Sequence, residues 1–336
     1  MAINGARDPH LPALDGWRGV AISMLLVGHF LPVPGINFGS VGVSFFFVLS
    51  GMLMARLLYV QEVPIATFYR RRISRILPAH LSFLVLMVIA SISFGLPINL
   101  TEIFSATLFI NNYLVGHEMP FGHIWSLAVE EHSYILLSVI AICSRFWSFP
   151  PLLIVLAWAS ICALMGVIYR SNYEGQLLYQ YLLHTEVAGY GIAISAFICV
   201  MFQRKGLPST HFEIVPLLIL FGIVLQWWSV PGTLSQVVGI GSLAMAVNLL
   251  PKASNYVQKI FANPILRRLG LCSFSLYLWQ QPFYVAYWNK TISLPAASLA
   301  TATMGLISYF LIEGPARRYL NARWTGSRKS PMHVTS

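Results

Sequence analysis

The stretch LDGWRGVAISMLLVGHF (residues 14–30) sets Arg18 and His29 eleven positions apart, with only glycine, serine and apolar residues between them. Eleven residues at about 100° each return to within roughly 20° of the starting direction and rise roughly 16 Å. A helix here presents both side chains on one face, at different depths. Its length and apolarity are those of a membrane span, where ionisable groups are costly and face a bundle interior or a wet cavity.

The rest of the chain is of the same kind. Of 336 residues, 57% are hydrophobic and 10% charged, with a mean hydropathy of +0.70, whereas ordinary soluble domains carry about 25% charged residues. Ten stretches are long and apolar enough to cross a bilayer, which takes about 20 residues. They lie near 15–33, 38–59, 79–95, 122–143, 151–168, 183–202, 213–230, 234–250, 270–289 and 296–313. The expected fold is an all-α polytopic membrane protein of about ten transmembrane helices, one domain over 1–320 followed by a basic cytoplasmic tail over 321–336. A weaker stretch at 102–115, interrupted by Glu102, Asn111 and Asn112, reads as interfacial or re-entrant. No convincing internal repeat is visible, which weakens a repeat-built transporter.

Charge sets the orientation. With the N-terminus cytoplasmic, eighteen of the 21 Lys and Arg residues fall in inner loops and tails, Arg170 and Lys290 lie outside, and Arg18 is inside a helix. That bias is the positive-inside rule, and an odd change in the helix count before a basic loop destroys it. It predicts both termini and the 61–78 loop in the cytoplasm and the 96–121 loop outside. The +10 net charge thus reflects topology, and nucleic acid need not be invoked. No A-x-A cleavage signal follows the first helix, which is expected to stay as an anchor. The four cysteines (143, 162, 199 and 272) form no CxxC pair and suggest neither a disulfide framework nor a metal site.

Polar stripes mark the candidate site. In the fourth span His123, Ser126, Glu130 and Tyr134 recur at three, four and four residues, hence on one helix face, while Glu131 points about 100° away. From the topology, Glu130 and His29 lie at comparable depth, within roughly 5 Å along the membrane normal. A histidine held by a carboxylate is the arrangement of a general base; the bland alternative is a hydrogen-bonded structural histidine. In the ninth span Ser273, Tyr277, Gln280, Tyr284 and Trp288 recur at four, three, four and four, as a cavity lining or as interface anchors. The run FYRRRISRILP (68–78) puts Arg70, Arg71, Arg72 and Arg75 at the start of the third span, either a topology determinant or an anion site suited to phosphate. His184 and Glu186, near the outer end of the sixth span, suit a site or an outer-loop cap.

Six blocks resemble, in order and over nearly the whole chain, the signature blocks of the membrane-bound acyltransferase 3 family. They are LDGWRGVAISMLLVGHF, GSVGVSFFFVLSGMLM, FYRRRISRILP, HIWSLAVEEHSYIL, SFSLYLWQQPF and SYFLIEGPARRYL. The resemblance implies transfer of an acyl group, commonly acetyl from acetyl-CoA, to a hydroxyl of an extracytoplasmic glycan or lipid-linked saccharide, with small-molecule acceptors in some relatives. It puts Arg18 and His29 on the family's essential pair, Arg72 and Arg75 on its cytoplasmic Arg-x-x-Arg, and Glu130 on its fourth-helix acid. Two departures stand out. Trp279-Gln280-Gln281-Pro282 replaces the family's Trp-His-Gln-Pro, and Ala188 and Tyr190 replace an Arg and an Asp.

The reading predicted from all this is an O-acyltransferase that uses acyl-CoA as donor, needs no metal, and meets glycan, membrane lipid and no nucleic acid. His29 is the expected base, oriented by Glu130. Arg18 holds the thioester end or the pantetheine arm, and Arg72 and Arg75, helped by Arg71, bind the CoA phosphates. Ser126, Tyr277 and Gln280 are expected to contact substrate, with Ser126 a candidate oxyanion donor. A polar-solute permease and a non-catalytic scaffold are the competing classes.

Overall fold

The computed structural model describes residues 11–95, 99–114, 120–206 and 213–326, and among them every regular element is helical, with isolated bridges but no strand. The principal helices are α1 (Pro12–Phe30), α2 (Phe38–Ala55), α3 (Ile65–Phe94), α4 (Trp125–Trp147) and α5 (Pro151–Asn172). They continue as α6 (Tyr190–Lys205), α7 (Ile214–Val224), α8 (Ile240–Leu249), α9 (Pro264–Trp288) and α10 (Leu294–Ser308). Local signals explain several boundaries. Pro12, Pro151 and Pro264 occupy first-turn positions, where a missing N–H costs nothing. Asn37 caps α2 by accepting from Ser40 N, and Gly95 closes α3 at a φ of 63°.

A helix stands at each of the ten predicted stretches, yet among the described residues seven helical segments are long and apolar enough to cross a membrane. The others are α1 and α9, whose polar residues lower their hydropathy, and α7. The expected span 213–230 shrinks to the eleven residues of α7 because the chain turns at Leu225 and runs back toward α1, where Trp228 N donates to Gly35 O at 2.8 Å. The 102–115 stretch forms a short helix, Leu100–Thr107, and a turn at Asn111–Tyr113. The expected tail boundary after residue 320 falls inside the helix Gly314–Gly326, and residues 327–336 lie outside the described residues.

Burial separates centre from rim. The most apolar window of α2 is 67% buried, against 28% for α5 and 22% for the segment that contains α10. The exposed faces carry Leu153, Ile161, Leu164, Leu299 and Leu306, as helices facing hydrocarbon do. α1 lies between α2 and α9, its two most extensive neighbours. Its backbone approaches α9 so closely that a Cβ on Gly19 meets Leu266 O at 2.0 Å. This is the small-residue packing that lets membrane helices gain van der Waals contact without a hydrophobic driving force. It also seats the Arg18–His29 face in the bundle centre. Gly19→Ala is expected to cost about 1–3 kcal/mol through overpacking, read as a lower unfolding temperature in detergent. Gly241→Ala, whose new Cβ meets only Tyr190 OH at 3.9 Å, is expected to be neutral.

Candidate active site

A cavity of about 530 Å³ lies between α1, α2, α3, α4 and α9. Its lining holds six arginines (18, 56, 71, 72, 75 and 317) against two carboxylates, Asp15 and Glu130, so it is strongly cationic. Four of the arginines stand toward the starts of α1 and α3, with Arg56 just past the end of α2 and Arg317 in the helix Gly314–Gly326; Ser126 and Tyr277 mark the opposite end. Arg56 and Arg317 were not singled out by the sequence: Arg56 stands alone fourteen residues before Arg70, and Arg317 lies in a basic segment near the other end of the chain.

Each arginine is held differently. Arg18 pairs with Asp15 at 3.1 Å, one turn back on α1. Arg72 is committed to α4: its Nη2 lies 2.6 Å from Glu131 Oε1 and 4.0 Å from Glu130 Oε2, and its guanidinium stacks 3.4 Å from the Tyr134 ring centroid. Among the described residues Arg75 has no hydrogen bond or ion pair, and it faces the cavity. Arg72 is therefore engaged by a carboxylate at Nη2, with its Nε left without a hydrogen bond, whereas Arg75 has no such partner.

The two predicted polar stripes do meet, through Ser126 Oγ and Tyr277 OH at 2.9 Å. Tyr277 OH also donates to the carbonyl of His123, which lies in the turn Gly122–Ile124 that precedes α4. A phenol has one hydrogen, so Ser126 must be the donor in the Ser126–Tyr277 bond. Ser126 then offers the cavity an acceptor, and the expected oxyanion donation from it is not available in this arrangement.

The expected His29–Glu130 contact is not made. Glu130 accepts from Ser50 Oγ at 3.1 Å and from Tyr134 OH at 2.6 Å, inside the cationic cavity. His29 Nδ1 instead lies 2.6 Å from Gln280 Oε1, with the ring stacked on Tyr284 at 4.5 Å. The expected match in depth fails: on α2 His29 meets Gly39 and Glu130 meets Ser50, eleven residues apart and so roughly 16 Å along the helix, while α9 lies against the His29 face of α1 and supplies its partner. His29 is close to the cavity without lining it. Gly39 touches the His29 ring and Val43 lines the cavity one turn along α2; Gln280 and Tyr277 repeat that relation on α9.

His184 and Glu186 stand apart, beyond α4. Glu186 pairs with His184 at 3.3 Å and accepts from Tyr113 at 3.0 Å and Tyr169 at 2.8 Å, tying the Asn111–Tyr113 turn to α5. Burial, then the Glu186 charge, raise the Tyr113 phenol above its ordinary pKa. The pair thus ties a loop to the bundle, as in the capping alternative. Among the described residues no three His, Cys, Asp or Glu side chains group as a metal site requires.

A helical membrane bundle with a buried cationic cavity and a histidine at its far end defines the class; sequence comparison then supplies the family. Residues 11–313 match the family model described as an acyltransferase domain, and the chain belongs to that family. It is similar to O-acetyltransferase OatA of Staphylococcus aureus strains NCTC 8325 and COL, 27% identical in each case over 355 aligned residues. Those alignments cover 92% of this chain and 57% of each relative, so the chain spans little more than half the length of the curated relatives it matches. No solved structure matches it.

The Arg72 arrangement is testable by itself. Glu131→Gln removes the charge that neutralises Arg72 and is expected to cost about 1–3 kcal/mol, seen as a fall in thermal stability that added salt does not reproduce in the wild type. A stability equal to wild type would show that the pair does not hold α3 to α4.

Proposed function

We propose that this chain is an integral-membrane O-acyltransferase that moves an acyl group, acetyl by preference, from acyl-CoA at the cytoplasmic face to a hydroxyl of an extracytoplasmic glycan or lipid-linked saccharide. In this reading it crosses the bacterial inner membrane ten times, with both termini inside. The observation that carries it is the cationic cavity whose walls continue, along single faces of α2 and α9, to the His29 ring one turn further on.

The chemistry follows from what each residue offers. Arg75, with Arg71, Arg317 and Arg56 around it, binds the CoA phosphates, which cannot enter hydrocarbon. Arg18, nearer the middle of the bundle, holds the pantetheine arm or the thioester end. Glu130 offsets the arginine charge and, with Tyr134, keeps Arg72 in the wall. His29 takes the acceptor's hydroxyl proton as the acceptor oxygen bonds to the acyl carbon. The C–S bond breaks, and the thiol leaves with a proton.

His29→Ala is expected to lower acylation about 10²–10⁴-fold, the worth of general-base assistance, at unchanged protein level. Arg75→Lys keeps the charge, and hence the insertion, but loses the planar fork. It is expected to raise the acyl-CoA KM about tenfold, roughly the value of one charged hydrogen bond. The assay is acyl transfer from labelled acetyl-CoA by protein in liposomes. Full activity in His29→Ala together with an unchanged KM in Arg75→Lys would overturn the reading, and solute uptake independent of acyl-CoA would put a permease in its place.

A further inference from the structure

Gln280 occupies the position where the resemblance leads one to expect a histidine, and it touches the reacting end of the site. Its Oε1 lies 2.6 Å from His29 Nδ1, across the α1–α9 contact. The other end of the amide is committed, since Gln280 Nε2 donates to Gln281 Oε1 at 3.2 Å. Gln280 is 0% exposed and Gln281 6%, so neither amide trades partners with water. An amide oxygen can only accept, so the ring nitrogen that faces it must carry the hydrogen.

The remaining contacts isolate the other nitrogen. Tyr284 stacks on the ring and fixes its plane. The Nε2 edge faces Gly39, where a Cβ would lie 3.2 Å from both Cδ2 and Nε2 of the imidazole. Gly39 thus keeps that edge clear, beside Asn37, whose Oδ1 caps α2. The geometry brings one neutral acceptor to Nδ1, while among the described residues Nε2 makes no hydrogen bond.

We propose that Gln280 is a positioning residue that holds His29 as the Nδ1–H tautomer, so that Nε2 carries the lone pair that receives the acceptor's hydroxyl proton. The proposal rests on His29 being the base. During the step Nε2 gains the proton while the acceptor oxygen forms its bond to the acyl carbon and the C–S bond breaks. The departing sulfur then takes the proton from Nε2, and Nδ1–H stays bonded to Gln280 throughout. A carboxylate in this place would orient the ring and also stabilise the imidazolium; Gln280 orients it without adding charge.

Two variants separate positioning from simple packing. Gln280→Met keeps volume but removes the acceptor. It is expected to lower kcat roughly 10–100-fold, as for groups that orient metal-bound histidines, with the acetyl-CoA KM within about twofold of wild type. Gln280→Glu keeps shape and restores a charge beside Nδ1, so the acid limb of the kcat/KM profile is expected to move up by about one pH unit or more. A readout without turnover is ¹⁵N NMR of the full chain in nanodiscs with labelled histidine, the His29 signals being assigned by their loss in His29→Gln. Wild type is expected to show Nε2 unprotonated and Nδ1 protonated, and Gln280→Met to lose that preference. A protonated Nε2 in wild type, or wild-type pH profiles and kcat in both variants while His29→Ala is dead, would overturn the role of Gln280 alone. An active His29→Ala would instead remove the base reading on which it rests.

Discussion

The fixed span of α1 between Arg18 and His29 constrains everything around it. Eleven residues of helix separate the two side chains by about 16 Å on one face, and a helix cannot shorten to bring them together. In the proposed reaction, phosphates that cannot leave the aqueous side and a hydroxyl that arrives from the other side are joined only if the donor extends along that face. The small-residue contact of α1 with α9, where Gly19 lies against the Leu266 carbonyl, holds the two helices together along that line. α2 and α9 then supply parallel walls, from Leu53 and Ser50 to Gly39 on one and from Ser273 to Gln280 on the other.

The arginines illustrate how neighbours divide labour among residues that look alike in sequence. Arg72 and Arg75 are three residues apart on one turn of α3, and charge count alone treats them as equals. Arg72 is drawn to Glu131 and the face of Tyr134, and so joins α3 to α4. Arg75 points where no carboxylate reaches it within ion-pair distance among the described residues, and its charge stays available. Leaving a guanidinium unpaired in a bundle is costly, and such cost is usually borne at functional positions.

Much of this was legible in the sequence. Hydropathy located a helix at every one of the ten stretches, and period-3.6 polar spacing located both stripes, which meet at Ser126 and Tyr277. Pairing was not legible. Spacing fixes the direction of a side chain on its own helix, but its level relative to other helices, and which helix lies opposite, are set by packing far from the residue in question. Hence His29 and Glu130, expected at one depth, meet α2 eleven residues apart, at Gly39 and Ser50, and Gln280 rather than Glu130 is the partner of His29. Arg56 and Arg317 were missed for the same reason, since segments nearly the whole chain apart converge on one cavity mouth. The shortening of α7 was also hidden, because the backbone bond from Trp228 to Gly35 is non-local.

The central claim is that one protein binds its donor on one side of the membrane and serves an acceptor on the other. Sealed vesicles of uniform orientation test it directly. Labelled acetyl-CoA is given only to the face that carries the 61–78 loop, and an oligosaccharide acceptor is enclosed on the opposite face. The account predicts label on the enclosed acceptor. Label appearing only when donor and acceptor share the 61–78 face would contradict it.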